Sequence, residues 1–275
     1  MSLTLPGPIL DALALAHPSW RPHLLDGLQA VVAASPGYLD ALALDYYLPT
    51  GQRLFAAFAL PLAEVRHVLV GEGPYPRAES ATGVCFMDGA VGSLWSENGL
   101  SKPVNRATSL RNFMKMLLVA DGFLKADDTG AAALAPVAVN AMQPGRGAIQ
   151  TLADLQANLT RHGFLLLNAS LVFRPHVAPA IDAKAWLPFL QTILASLADR
   201  TAPLQPLQPL APRKPLEPPT LVLWGKIAEQ LKRLPETARF PQLQSEHPYN
   251  LTFIRNASMQ ALFGPMHLLR FHQEK

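Results

Sequence analysis

Four segments of this sequence place reactive or recognition-grade side chains at the ends of short apolar runs. Val68-Leu69-Val70 leads into Gly71-Glu72-Gly73-Pro74-Tyr75-Pro76, a Gly/Pro turn that presents a carboxylate and a phenol. Thr82-Gly83-Val84-Cys85-Phe86 brings an aromatic ring, Leu165-Leu166-Leu167 closes on Asn168, and His247-Pro248-Tyr249-Asn250-Leu251 sets an imidazole ahead of an apolar residue. An imidazole exchanges protons near neutral pH. A carboxylate can take a proton from water, an aromatic face can stack on a planar ligand, and a carboxamide offers one acceptor and two donors to a ligand's edge. Each residue also has a purely structural reading. Phe86 fits a core, Tyr75 a sheet edge, Asn168 a loop cap and His247-Pro248 a plain turn. An Asn closing an apolar strand must nevertheless find partners when buried, because an unmet polar group costs about 1–3 kcal/mol.

The elements that would hold these segments follow from hydrophobic spacing. Residues 8–60 read mostly as helix, with Leu10, Leu13, Leu24, Leu28 and Val31 recurring at three and four residues. Val65 to Val70 is a short β-rich run ending in a turn. Helical spacing returns over 108–120, with Thr108 or Ser109 as the N-cap, and the Ala/Gly/Pro-rich 126–148 stretch reads as a loop with one ordered turn at most. Then come a helix over 151–161, Gly163, a strand over 164–168, a helix from about 183 to 198, a strand from Thr220 to Trp224, a helix over 226–234 and a last strand near 239–245. Strands alternating with helices imply a parallel α/β sheet covered on both faces. In such sheets ligands bind outside the carboxyl ends of the strands. Gly71–Tyr75, Asn168, Trp224-Gly225-Lys226 and His247 all follow strand ends.

Composition narrows the class without deciding it. The 275 residues are 49% apolar and 16% charged, enough for a sizeable core in one large domain or at most two. No apolar run approaches the ~18 residues of a membrane span, and no signal peptide is read at the N-terminus. The single cysteine, Cys85, excludes an internal disulfide framework and an iron–sulfur cluster, and a reducing cytoplasm is the expected compartment. Residues 200–275 carry ten Lys+Arg against five Glu, which makes that region the basic part of a chain of net charge +3. Such asymmetry suits a phosphate-tracking face, and it also fits scattered surface charge. Seven prolines at a spacing of about three over 201–219 suit a polyproline II segment, either a stiff surface connection inside one domain or a ligand for a proline-reading partner.

Taken in order, these segments resemble the uracil-DNA glycosylase superfamily, over nearly the whole chain. Gly71 to Tyr75 matches the family's water-activating Gly-Gln-Asp-Pro-Tyr-His turn, and Gly83-Val84-Cys85-Phe86 its Gly-Leu-Cys-Phe segment. Lys102-Pro103 to Asn112 takes the place of its DNA-compressing loop, and Leu165 to Leu171 resembles Leu-Leu-Leu-Asn-Thr-Val-Leu. Leu223-Trp224-Gly225-Lys226 fits Leu-Trp-Gly-Ser, and His247 to Leu251 fits His-Pro-Ser-Pro-Leu. The resemblance implies a single α/β domain over 1–275, three-layer α/β/α, with a central, mostly parallel four-stranded sheet. It further implies a monomer that needs no cofactor or metal and acts on uracil-containing or damaged DNA, single- or double-stranded.

The resemblance also assigns roles. Phe86 stacks on an extruded base, Asn168 reads its edge, and Tyr75 fills the space of a thymine methyl, with Gly71 and Gly73 completing the base pocket. His247 donates toward the departing base, and Leu251 enters the vacated stack. Ser109, Ser170, Gly225 and Lys226 contact DNA. The turn departs from the family at its most chemical position. Glu72-Gly73 stand where the family has Gln-Asp, and Pro76 replaces His. Gly73 has no side chain with which to activate water, which leaves Glu72, or less directly Asp88, as the nearby carboxylate. Two activities follow from that departure: slow or altered base excision, or recognition of damaged DNA without hydrolysis.

Overall fold

A computed structural model describes residues 5–200 and 216–270. Most of the expected Pro-rich connection, 201–215, lies outside the described residues. Along the chain run α1 (Gly7–Asp11), α2 (Arg21–Ala34), α3 (Tyr38–Ala43), β1 (His67–Gly71), β2 (Trp95–Ser96), β3 (Gly99–Leu100), α4 (Lys102–Arg106), α5 (Thr108–Ala120) and α6 (Ala131–Met142). After these come α7 (Leu152–Arg161), β4 (Phe164–Asn168), α8 (Pro179–Ala198), β5 (Thr220–Trp224), α9 (Ile227–Leu231), β6 (Gln242–Ser245) and α10 (Ala257–Phe263). A four-stranded sheet, ordered β4-β1-β5-β6, is flanked by helices as the α/β reading requires. β1 pairs in parallel with both β4 and β5. Among the described residues no helix is long and apolar enough to cross a membrane.

The chain divides into two compact units. The first holds residues up to Phe86, Gly163–Leu223 and Ile227–Gln242. Its core gathers Trp20, Leu24, Leu28, Phe55 and Phe58 with Trp186, Phe189 and Ile193 of α8. Val68, Val70, Leu165, Leu167, Leu221 and Leu223 add one face of the strands to that core, while Leu69, Leu166 and Val222 are buried on the opposite face. Strands buried on both sides explain why β1, β4 and β5 read as unbroken apolar runs rather than alternating ones. In the loop after β4, Arg174 bridges the carboxylates of Asp182 (2.7 Å) and Asp45 (3.1 Å), and the Tyr38 hydroxyl donates to Asp182 at 2.7 Å. Burial and the Asp182 carboxylate push the Tyr38 phenol upward.

The second unit comprises Met87–His162, Trp224–Lys226 and Leu243 onward. The β2–β3 hairpin packs on α6 there, and Trp224 is ringed by Phe113, Phe253 and Phe263. Here the sequence reading needs its main correction. The stretch read as a loop contains α6, a helix of 12 residues with Pro136 inside it. An interior Pro costs about 3 kcal/mol, but the surrounding alanines have the highest helix propensity, and Leu134, Ala138 and Ala141 are buried.

Four smaller corrections follow from local chemistry. Helix α5 starts at Thr108 behind Ala107 with no side-chain cap, so Thr108 and Ser109 lie inside its first turn rather than at its N-cap, and Ser101 caps the short preceding α4 by accepting from the Val104 N–H. Helix α8 starts at Pro179, a residue suited to the first turn, rather than near 183. Helix α9 is shortened to Ile227–Leu231, and Pro235 opens a separate 3₁₀ turn. The helical character of 8–60 is divided among α1–α3 and several 3₁₀ turns.

Candidate active site

In the first unit, the parallel register sets Gly71 opposite Asn168. Paired residues in a sheet share a face, so Asn168 points away from the core that holds Leu165 and Leu167. Gly71 is required by this juxtaposition. A Cβ there would stand 3.0 Å from Cys85 Sγ and 3.1 Å from Asn168 Oδ1. The Asn168 side chain is 5% exposed, and its carboxamide hydrogen-bonds to no other described residue. Its amide atoms are not among the fully buried unpaired ones, so they reach the surface and are open to a ligand's hydrogen-bonding edge.

Two strand-end loops complete this half. The Ala169 N–H donates to Gly71 O (2.8 Å) and the Ser170 N–H to Glu72 O (3.0 Å), so the turn after β1 is laced to the end of β4. The Cys85 N–H donates to Leu166 O at 3.1 Å, which ties the Phe86 segment to the same strand. Phe86 is half-buried and holds φ at 67°, a left-handed conformation uncommon for an aromatic residue. Strained backbone of this kind clusters at ligand clamps. The Tyr75 hydroxyl lies 3.5 Å from Phe86 O, so both rings belong to one corner. Burial pushes the Cys85 thiol up to about 12, leaving it a neutral packing group behind Gly71.

Glu72 and Gly73 are exposed and line a cavity of about 370 Å³ with Ser170, Phe173 and Gln230. The Ser170 hydroxyl is buried and donates to Val172 O at 3.0 Å. Among the described residues no cluster of His, Cys, Asp and Glu has the makings of a metal site.

In the second unit, Gly225 takes φ 69°, and a Cβ there would meet His247 Cβ at 2.8 Å. Gly225 therefore lets the His247 loop close over it. Its N–H donates to Ser245 O at 3.0 Å, and Lys226 beside it is exposed. His247 is exposed, and its Nδ1 accepts the Tyr249 N–H at 3.1 Å. A neutral imidazole with Nδ1 occupied as acceptor carries its proton on Nε2, which is then the ring's donor. Leu251 is 67% exposed at the head of a 3₁₀ turn whose next side chains, Phe253 and Ile254, are buried. An apolar tip on an anchored base has the form of a wedge. Ser109 is half-buried in the first turn of α5, and Asp88, also in this unit, is buried and accepts the Ala90 N–H.

The geometry is matched by kinship. A wild-type UNG from Nitratifractor salsuginis is 36% identical and superposes with a TM-score of 0.83 over 98% of this chain and all of its own. The chain belongs to the uracil-DNA glycosylase superfamily. Uracil-DNA glycosylases of Nocardioides sp. and Corynebacterium glutamicum are each 28% identical over 242 residues, covering 88% and 87% of this chain and 82% of each relative. A mimivirus uracil-DNA glycosylase, 15% identical with a TM-score of 0.50, shares the fold. No protein-family model matches the chain.

Within this superfamily member, the first unit brings Gly71, Gly73, Tyr75, Phe86, Asn168 and Ser170 together. The second brings Gly225 and His247 together, with Lys226 and Leu251 exposed on the chain segments that follow them. Sequence reasoning gave no role to Asn112, which is buried in α5 and donates to the backbone of the His247 loop. The available signal was an amide set among Leu110, Phe113, Met114 and Met116 on a buried helical face, since such groups are almost always paired.

Proposed function

We propose that this protein extrudes uracil, or a closely related base, from DNA and cleaves its N-glycosidic bond slowly. The observation that carries the reading is the carboxamide of Asn168, engaged by no other described residue at a strand end opposite Gly71, on the strand whose Leu166 O accepts from the Cys85 N–H beside Phe86. Asn168 would accept from the N3–H of the base and donate to O4, while Phe86 stacks on its face at about 1–3 kcal/mol. As the C1′–N1 bond breaks, its electron pair leaves with the base and charge spreads to O2. The Nε2–H of His247 would stabilise that charge. Water adds to C1′ and loses its proton to a carboxylate or to solvent. Glu72 is the nearest such group by sequence, Gly73 having none to offer. Leu251 would hold the gap left in the duplex, with Ser109, Gly225 and Lys226 toward phosphates.

A second reading has its own observation. Gly73 is exposed and bare beside the cavity, so recognition without hydrolysis is the alternative activity. Alkali-revealed cleavage of uracil-containing single strands and U:G duplexes separates the two. Excision by the wild type, lowered about 10²–10³-fold in Asn168→Ala, is the expected result. No excision at high enzyme, with Asn168-dependent binding retained, selects the binding protein. Uracil binding unchanged by Asn168→Ala removes the pocket assignment under either reading.

A further inference from the structure

We propose that Asn112 is a positioning residue for His247, acting through the single peptide group that joins Pro248 to Tyr249. Asn112 is fully buried in α5, and its Nδ2 donates to Pro248 O at 2.8 Å and to Tyr249 O at 3.2 Å. Pro248 O and the Tyr249 N–H are the two ends of one planar peptide. Asn112 holds the oxygen end, and the hydrogen end donates to His247 Nδ1 at 3.1 Å. The three groups form a series: amide donor, peptide, imidazole acceptor. Hydrogen bonds in series polarise one another, so the Asn112 donor strengthens the N–H that occupies Nδ1. That occupation keeps the ring proton on Nε2.

The loop is closed by one more bond, from the Asn250 N–H to His247 O at 2.9 Å. Without Asn112, the Pro248 and Tyr249 carbonyls lose this buried donor. The peptide is then free to rotate, and its N–H is no longer aimed at the ring. The burial of an amide in the apolar face of α5 is thereby connected to which imidazole nitrogen carries the proton. The role rests on reading His247 as donor to the departing base, but the series itself has a signature that needs no turnover.

The test is two-bond proton–nitrogen correlation on the full chain labelled with ¹⁵N-histidine, with His247→Gln to assign the signals. In the wild type, Nε2 should resonate as the protonated nitrogen and Nδ1 as the bare acceptor. In Asn112→Leu, which fills the same space without a donor, the two shifts should move toward each other, and uracil excision should fall at least about tenfold. If Asn112→Leu does not fold, Asn112→Ala carries the same comparison. An unchanged His247 nitrogen pattern in whichever donor-free variant folds overturns the proposal. A changed pattern with unchanged excision supports the series and instead sinks the reading of His247 as the donor.

Discussion

Replacing Gly73 by Asp tests the most consequential departure in the chain. Gly73 does not use left-handed backbone, and a Cβ added there would meet Ser170 O at 3.6 Å and Ser170 Cβ at 3.7 Å, ordinary contact distances. The new side chain therefore enters without strain. At Gly83, by contrast, φ is 82° and a Cβ would fall 2.1 Å from Arg53 O. The position is exposed, so a carboxylate stays ionised and global stability should change by no more than about 0.5 kcal/mol. A correctly placed general base is worth about 10²–10⁴ in rate, or about 3–5 kcal/mol of barrier. Single-turnover excision from a U:G duplex should rise by that factor in Gly73→Asp. Gly73→Asn, which adds nearly the same volume without a base, should gain far less. A folded Gly73→Asp that binds uracil-containing DNA and excises no faster than the wild type would refute the assignment of position 73 to water activation.

Gly71→Ala forces a methyl against Cys85 Sγ and Asn168 Oδ1, so uracil affinity should fall at least about tenfold, with a stability loss near 1 kcal/mol; binding isotherms and urea midpoints measure both. Leu251→Ala should leave the urea midpoint unchanged because the side chain is solvent-facing, yet lower excision from duplex more than from single strands. Tyr38→Phe removes a donor to the Asp182 carboxylate and should cost about 1.5–3 kcal/mol at neutral pH. The folded phenol is pushed above its usual range, so its stabilisation is complete below about pH 10 and declines as the unfolded phenol ionises. The stability gap between Tyr38→Phe and wild type should therefore narrow from pH 9 to pH 11, and a constant gap would contradict the linkage.

Much of this molecule is written locally. The runs at β1, β4 and β5 are apolar because both faces of a parallel sheet are covered, and that pattern is visible one residue at a time. Helices α5 and α7 likewise announce themselves, α7 through the Thr151–Asp154 capping box at its start. Asn168 is legible for a related reason: a polar residue closing an apolar strand is costly when buried unless something pairs with it, so it stands out before any contact is known.

Other features depend on sums that no single segment contains. Helix α6 exists because burial of Leu134, Ala138 and Ala141 outweighs an interior proline, and composition around Pro136 alone pointed to a loop. The caps also depend on the folded backbone: Ser101 reaches the Val104 N–H at the start of α4, while α5 begins at Ala107 with no side-chain cap, although Thr108 and Ser109 lie next to it. The bond from Asn112 to Pro248 spans 136 positions in sequence, and no local pattern around either residue announces it. Sequence fixes which groups a chain has to satisfy. Only the folded backbone decides which distant group satisfies them, because a hydrogen bond forms within about 3 Å and a buried polar atom takes the partner that packing delivers.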